Sequence, residues 1–316
     1  MLLRLAHRFA ILLASLAVSS LVVFAFMQVL PGNPARVALG VNASEEAIAR
    51  MTADYGLDRP LPVQYLDWVG GMLRLDPGIE YVSKAAIGPQ IADRLQVTLW
   101  LVAVAMVLAV AVAVPVGTWM AVRHRHVDGV ALSAVSQVGV AVPAFLAGIA
   151  LISIFAVRLG WVPSGGWVPP AQDPAEFLRR LALPTLSLAL IQGSVLARYV
   201  RSAVLDVLRE DYLRTARAKG LRPVPALLRH GLRNAAIPVV TVLGLQLATL
   251  LIGAVVVEQV FVIPGLGSLL LDSVAERELL TVQTVVMVLV VAVLVVNFVV
   301  DALYVVIDPR LRTVSR

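Results

Sequence analysis

Six long apolar segments constrain this chain more than any other feature of its sequence. A helix of about 20 residues crosses the roughly 30 Å hydrocarbon core of a bilayer, whereas strands end after about 5–8 residues. The segments are Phe9–Leu30, Val97–Val122, Val130–Val157, Leu181–Ala197, Ala235–Val257 and Leu279–Val300. Only 15% of the residues are charged, against about 25% in soluble domains. The sequence therefore predicts an all-α polytopic membrane protein with six transmembrane helices.

Basic residues are concentrated in every second loop between these segments. The loop between the fourth and fifth spans contains Arg201, Arg209, Arg214, Arg217, Lys219, Arg222, Arg229 and Arg233. The following loop contains Glu258, Asp272, Glu276, Glu278 and a single basic residue, Arg277. Since basic loops stay on the cytoplasmic side, both termini are predicted to be cytoplasmic. The predicted divisions are 1–30 (N-terminus and first span), 31–96 (extracytoplasmic cap), 97–308 (five-span core) and 309–316 (cytoplasmic tail).

The outer segment, 31–96, has its own helical pattern. Ala43–Tyr55 is predicted to be a helix with Ser44 as its N-cap, and Pro62–Leu75 resumes a helical pattern after a Gly/Pro break. Two interpretations stay open. The segment is either a packed cap without a specific role or a docking surface for a protein that delivers substrate.

The basic loop, 201–236, is more organised than a simple connection requires. Asp206–Lys219 is predicted to be one amphipathic helix, which Gly220 ends and Pro223 prevents from continuing. Its expected apolar side consists of Leu205, Leu208, Tyr212, Thr215 and Ala216. Gly220 is either only a helix stop or part of a short helix that sits in a cleft of a partner and transmits motion to the bundle.

Several kinds of chemistry have no supporting motif. The chain lacks cysteine, and Gly265–Ser268 lacks the lysine and later glycine of phosphate-binding loops. His124 and His126 flank an arginine, which is typical of a solvated loop. The net charge of +6 lies beside apolar segments, as membrane topology requires, which argues against nucleic acid as a partner. We expect neither an enzyme, nor a metal site, nor a cofactor bound by this chain.

A few polar residues fall within or beside the spans. Asn297, Asp301 and Tyr304 share one face of the sixth span, and Asp301 is predicted to pair with Arg198 or Arg201. This face is either an interhelical clamp or part of a transport pathway. Polar residues that could line a pathway or bond between helices include Gln192, Gln246, Gln283 and Glu258. Pro115, Pro143 and Pro184 are predicted to lie inside spans.

Several co-linear motifs resemble those of one protein family. D-Y-L-R-T-A-R-A-K-G-L (Asp211–Leu221) with L-R-N-A-A-I-P (Leu232–Pro238) is similar to the coupling-loop motif of bacterial ABC importer permeases, specifically the first permease subunit of the oligopeptide/dipeptide/nickel group. Further matches are Leu30–Pro34, Gly56–Tyr65, Val255–Gly267 and Asp301–Arg310. The sequence departs from the general motif at Arg214-Thr215-Ala216, where that motif has E-A-A. It also departs from the group at Arg74–Gly78, where relatives tend to have G-D-L-G.

The resemblance implies a type I importer permease in the bacterial inner membrane. It implies four partners: a homologous second permease, ATPase subunits that bind ATP and Mg, an extracytoplasmic substrate-binding protein, and the lipid bilayer itself. The ATPase-coupling residues it implies are Asp211, Tyr212, Arg214, Thr215, Ala216, Ala218, Lys219, Gly220, Asn234 and Pro238. The implied cargo is di- or oligopeptide, with nickel chelates, glutathione or another small solute as alternatives. A stand-alone secondary transporter and a membrane scaffold protein are the other classes considered.

Overall fold

The computed structural model describes residues 2–29, 34–40 and 43–307, which form helices and loops with one isolated β-bridge. The α-helices are α1 (Leu2–Val29), α2 (Pro34–Leu39), α3 (Glu45–Asp54), α4 (Leu61–Leu73), α5 (Ile87–Val122), α6 (Val127–Ala141), α7 (Ala144–Leu151), α8 (Pro174–Leu208), α9 (Asp211–Ala218), α10 (Pro223–Ala226), α11 (Leu232–Val260), α12 (Leu266–Glu276) and α13 (Leu279–Ile307). Two π-helical segments, Ile152–Arg158 and Leu227–Gly231, follow α7 and precede α11. The predicted tail, 309–316, and most of the Leu30–Pro34 motif lie outside the described residues.

Long apolar helices confirm the membrane-spanning prediction. Five helices are long and apolar enough to cross a bilayer, or six if the bent pair α6 and α7 with its π-helical extension forms one span. The predicted fourth span, Leu181–Ala197, lies inside the much longer α8. Asp173 starts that helix by accepting hydrogen bonds from the backbone N–H groups of Ala175 (2.9 Å) and Glu176 (3.0 Å).

The third predicted span, Val130–Val157, is broken by a bend at Pro143. The helix ends at Ala141, and the two parts of the pair are bent by 102° at the break. Pro143 has no N–H to donate and forces the preceding Val142 into an extended conformation, with φ −87° and ψ 123°. Pro115 and Pro184, in contrast, lie inside continuous helices.

The chain divides into two compact units that do not follow the predicted segment boundaries. Unit 1 contains Met1–Arg8, Leu99–Ile263 and Val296–Arg316, and unit 2 contains Phe9–Thr98 and Pro264–Val295. In unit 1, α8 packs against α6, α7 and α11 and is buried along most of its length. The roles predicted for the four sequence segments stay predictions.

Close packing in unit 1 surrounds Phe261, directly after α11. The Phe261 side chain is fully buried, and its carbonyl accepts a hydrogen bond of 2.8 Å from the N–H of Gly166. A Cβ at Gly165 would lie 2.0 Å from the same carbonyl, and a Cβ at Gly148 would lie 2.8 Å from the Phe261 ring. The end of α11 is therefore held between α7 and the 165–166 loop, and neither glycine has space for a side chain.

The helices predicted in the outer segment are confirmed within unit 2. Ser44 caps α3 by accepting a hydrogen bond of 3.2 Å from the N–H of Ala47. The predicted second helix, Pro62–Leu75, corresponds to α4. A hydrogen bond of 2.8 Å between Ser20 and Tyr65 joins α1 to α4, and Phe24 packs with Trp68 across the same contact.

Two buried carboxylates attach the loop before α5 to the start of α13. Glu278 is fully buried and accepts hydrogen bonds from the backbone N–H groups of Tyr81 (2.7 Å), Val82 (2.7 Å) and Ser83 (3.0 Å). Glu80 is also buried, bonds the Ser83 hydroxyl, and accepts a hydrogen bond of 3.0 Å from Thr281. Because three N–H groups depend on one side chain, Glu278 fixes the conformation of this loop.

Glu278→Gln is expected to loosen the loop around residues 80–83. The amide loses the negative charge and turns one acceptor into a donor, so the loop should lose about 2–3 kcal/mol of local stability. Hydrogen exchange of the Tyr81, Val82 and Ser83 amides measures this effect. Glu276→Gln is the matched control, because Glu276 lies exposed at the end of α12. Equal protection in the two variants would contradict the role of Glu278.

Candidate coupling site between α8 and α11

The loop between α8 and α11 begins with a sharp break that the sequence analysis missed. The structure ends α8 at Leu208 and starts α9 at Asp211, so the prediction of one helix from Asp206 to Lys219 was wrong. Backbone hydrogen bonds from Arg209 to the Asp206 carbonyl and from Glu210 to the Val207 carbonyl, both 3.1 Å, close the last turn of α8. The two-residue break means that the residues of α9 that face the core differ from those expected for one continuous helix.

The buried anchor of α9 is Leu213, which is 0% exposed. Leu213 and the partly buried Ala216, three residues apart, pack on a cluster that contains residues of α5, α8, α10 and α11. Leu205 and Leu208 contact this cluster as predicted. Tyr212, however, is 38% exposed and Thr215 is exposed. The helix is therefore seated on the core through Leu213.

Gly220 ends α9 in the way that the sequence predicts. Its φ is +93°, a left-handed conformation that glycine adopts without strain. The Leu221 N–H reaches back to the Ala216 carbonyl at 3.3 Å, which satisfies one of the last carbonyls of the helix. A Cβ at Gly220 would meet nothing within 4 Å. The space beside Gly220 is therefore not filled by other residues of the described chain.

The outer side of α9 is polar and solvent-exposed. The side chains of Asp211 and Arg214 are 95% and 74% exposed, and their contact of 3.4 Å is a weak surface pair. Ala218, Lys219 and Gly220 are also exposed. Seven of the eight predicted coupling residues in and after α9, Tyr212 included, are therefore accessible. The eighth, Ala216, is partly buried and packs on the core beneath this accessible region.

One hydrogen bond joins the two sequence motifs of the loop. The Asn234 amide nitrogen donates to the Tyr212 hydroxyl at 2.9 Å, which connects α9 to the first turn of α11. Pro238, the last predicted coupling residue, lies farther along α11 and is exposed. The two parts of the motif, separated by 22 residues at this contact, therefore form one structural element.

The return to α11 depends on Gly231, a residue the sequence analysis did not select. A Cβ there would lie 2.8 Å from side-chain carbons of both Leu227 and Val207. Leu227 and Gly231 bound the π-helical segment and are both buried. The available sequence signal was a glycine four residues after Leu227 and directly before Leu232. The π-helical bonding pattern around it is not visible in the sequence.

The intramembrane polar residues do not form the predicted pairs. The carboxylate of Asp301 pairs with Arg8 of α1 and not with Arg198 or Arg201 of α8. Arg198 instead donates to Gln137 at 3.3 Å. Asp301 and Arg8 are both about half exposed, so their pairing adds little stability. The prediction failed because the order of helices in the bundle, not sequence position, decides which charges meet.

The remaining predicted polar residues occupy separate surroundings. Gln246 is buried and its amide lies 3.5 Å from the Gln192 carbonyl, which supports a bond between α11 and α8. Glu258 is fully buried near the end of α11, and Asn297 is half-buried on α13. The side chain of Tyr304 lies outside the described residues. Within the described part of the chain, no group of His, Asp or Glu residues could hold a metal ion.

Comparison with known families gives two matches that together span almost the whole chain. Residues 113–313 match the family described as "binding-protein-dependent transport system inner membrane component". Residues 1–102 match the family that describes the N-terminal part of such membrane components.

Individual relatives agree with the family match. The "glutathione transport system permease protein GsiC" of Salmonella typhi is 41% identical, and that of Escherichia coli (strain K12) is 40% identical, over 302 residues. Each match covers 95% of this chain and 96% of the relative.

Two solved structures share the fold at low sequence identity. The inward-facing MetNI methionine ABC transporter in its CY5 native crystal form matches with TM-score 0.57 and 18% identity, over 69% of this chain and 96% of that chain. An amino acid ABC transporter with histidines matches with TM-score 0.51 and 17% identity, over 68% and 93% of the two chains. These likenesses support the type I importer permease fold.

Leu213→Ala is expected to release α9 from the core. Removing a fully buried leucine side chain costs about 2–5 kcal/mol, so hydrogen exchange across residues 211–220 should rise strongly. Leu228→Ala, at a leucine that is 59% exposed, is the matched control. Unchanged protection of α9 in Leu213→Ala would show that another contact holds this helix.

Proposed function

Because this chain belongs to the family of binding-protein-dependent transport system inner membrane components, we propose that the loop between α8 and α11 couples its bundle to an ATPase. The chain is a permease of an ABC importer and a multi-pass protein of the bacterial inner membrane. Such permeases work with a partner permease, an ATPase and a substrate-binding protein. The particular partners, the contact with the ATPase and the cargo are parts of the proposal.

The seating of α9 on the core is the observation that carries this assignment. Leu213 joins α9 to a cluster that includes Met120 of α5, Val204 of α8 and Val239 of α11. A force applied to the exposed side of α9 therefore reaches three long helices through this packed cluster. Densely packed interiors transmit such displacements because they have low compressibility.

The exposed side of α9 is suited to a contact outside the membrane. Arg214 and Lys219 provide positive charge, and the Gly220 backbone is open to close approach by a partner surface. The Asn234–Tyr212 bond keeps this surface attached to α11 when it is pushed or pulled. In this proposal, the loop is cytoplasmic, as the positive-inside pattern predicts.

The mechanism follows from these contacts. ATP and Mg bind to partner ATPase subunits, whose closure moves the α9 surface. The bundle then changes between inward- and outward-facing arrangements together with a homologous permease, and an extracytoplasmic binding protein delivers the solute. ATP binding shifts the equilibrium between the inward- and outward-facing arrangements only if the assembly binds ATP more tightly in one of them.

The proposed cargo is a short peptide. The relatives named above are permeases of glutathione transport systems, and glutathione is itself a small peptide. We therefore place glutathione and di- or oligopeptides before nickel chelates and other small solutes.

Gly220→Trp is expected to reduce ATP-driven uptake at least about tenfold (about 1.4 kcal/mol) while the protein still inserts into the membrane. The indole would occupy the space that the ATPase needs beside α9. Gly160→Trp is the matched control, since Gly160 also has a positive φ (+64°) and open surroundings. Uptake and ATPase co-purification are measured at equal membrane abundance. Normal uptake by Gly220→Trp, or equal losses in both variants, would contradict the coupling assignment.

Purification of the tagged chain from its native host in mild detergent tests the partners. We expect a second six-span permease, an ATPase with a phosphate-binding loop and a substrate-binding protein. Calorimetric titration of that binding protein with glutathione, dipeptides and nickel chelates identifies the cargo class. A chain recovered alone that moves a solute without ATP would show a stand-alone transporter instead.

A further inference from the structure

A cavity in unit 2 lies outside the proposed coupling site. It has a volume of about 470 Å³ and is open to solvent on one side. Its walls come from the end of α1, from α3 and α4, from the 76–81 loop and from the start of α13. The volume is within the range of about 300–1,000 Å³ that is typical of small-molecule sites.

The charged side chains that line the cavity are all acidic. Asp54, Asp67 and Asp76 line it, and the described lining residues include no lysine, arginine or histidine. Asp67 already contacts Arg59 at 3.1 Å. Among the described residues, Asp54 and Asp76 have no ion-pair partner, so two carboxylates remain available to a cation.

Aromatic rings form part of the apolar lining, together with aliphatic side chains. Trp68 and Phe24 stack with ring centroids 6.3 Å apart, and Tyr55 and Tyr81 meet edge to face at 4.9 Å. The faces of such rings attract cations. Lys84 already lies over the Tyr55 ring, with Nζ 4.7 Å from its centroid. Burial, Tyr55 and Glu278 raise the pKa of Tyr81 to about 12, so this phenol is uncharged at pH 7.

Gln283 is the feature that points to a ligand. Its residue is only 6% exposed, it lines the cavity, and its side-chain amide makes no hydrogen bond to the described part of the chain. The amide is accessible from the cavity and is not among the polar groups shut off from solvent. A ligand that enters the cavity can therefore replace water as its hydrogen-bond partner.

We propose that this cavity binds a small organic cation, in which an ammonium or guanidinium group is attached to an apolar body. The carboxylates of Asp54 and Asp76 attract the charged group, the rings of Trp68 and Tyr55 contact the apolar body, and Gln283 bonds a polar atom. A single side chain of a docking protein would leave much of the volume unfilled, which favours a small solute. The site is independent of the coupling proposal.

Calorimetry on the full chain in nanodiscs of zwitterionic lipid tests this site. The probe is 2-phenylethylamine at pH 7, and the comparison ligands are neutral 2-phenylethanol and anionic 3-phenylpropionate, which are similar in size. We expect saturable binding of one equivalent of the cation and no saturable binding of the other two. Binding that is not saturable, or that ignores ligand charge, would overturn the proposal.

Variants of the lining provide the second readout. Asp54→Asn and Asp76→Asn should each weaken binding about 2- to 5-fold, since both carboxylates lie at the exposed side. Gln283→Leu should weaken it as well, without changing the preference for the cation. Asp93→Asn is the matched control, because Asp93 is an exposed carboxylate of unit 2 that does not line the cavity.

Wild-type affinity for the amine in all three lining variants would overturn the proposal. A different result would also overturn it: the amine does not bind, but docking of the substrate-binding protein depends on Asp54 and Asp76. The cavity would then be a contact for that protein.

Discussion

The hydrogen-bonding demand of the backbone inside a bilayer is the constraint on which this structure depends. Water is absent there, so each N–H and C=O must find a partner within the protein. Long helices meet this demand within a single segment, as α5, α8 and α11 do. The bend before Pro143 is therefore informative, because the regular ladder of helical hydrogen bonds is interrupted there at Val142 and Pro143.

The candidate coupling site shows how a short surface helix is anchored to the core. The short α9 could not be stable by itself, because isolated helices below about 12–15 residues are marginal in water. Leu213 gives it a fixed position, and the Asn234–Tyr212 bond attaches it at a second point. Its exposed residues are thereby presented on a rigid support. A partner that binds this surface contacts the bundle and not merely a loose loop.

The sequence predicted those features that arise from local chemistry. Ser44 caps α3, Gly220 ends α9, and the apolar segments become long helices because each depends mainly on neighbouring residues. The break at Arg209–Glu210 was missed, since a polar stretch continues through it without glycine or proline. Leu213 was missed for the same reason, because the break changes which side of α9 faces inward. The Arg8–Asp301 pair joins residues 293 positions apart, and only the arrangement of helices in unit 1 brings them together.

The buried end of α11 gives this helix the character of a lever. Its 29 residues extend about 44 Å at 1.5 Å per residue, from the coupling loop to Phe261. The glycines around Phe261 leave no clearance there, so a tilt of α11 must displace α7 and the 165–166 loop. The 102° bend between α6 and α7 interrupts regular helical hydrogen bonding at Val142 and Pro143. Since α7 meets Phe261 at Gly148, a tilt of α11 would act on α7 directly beyond this bend.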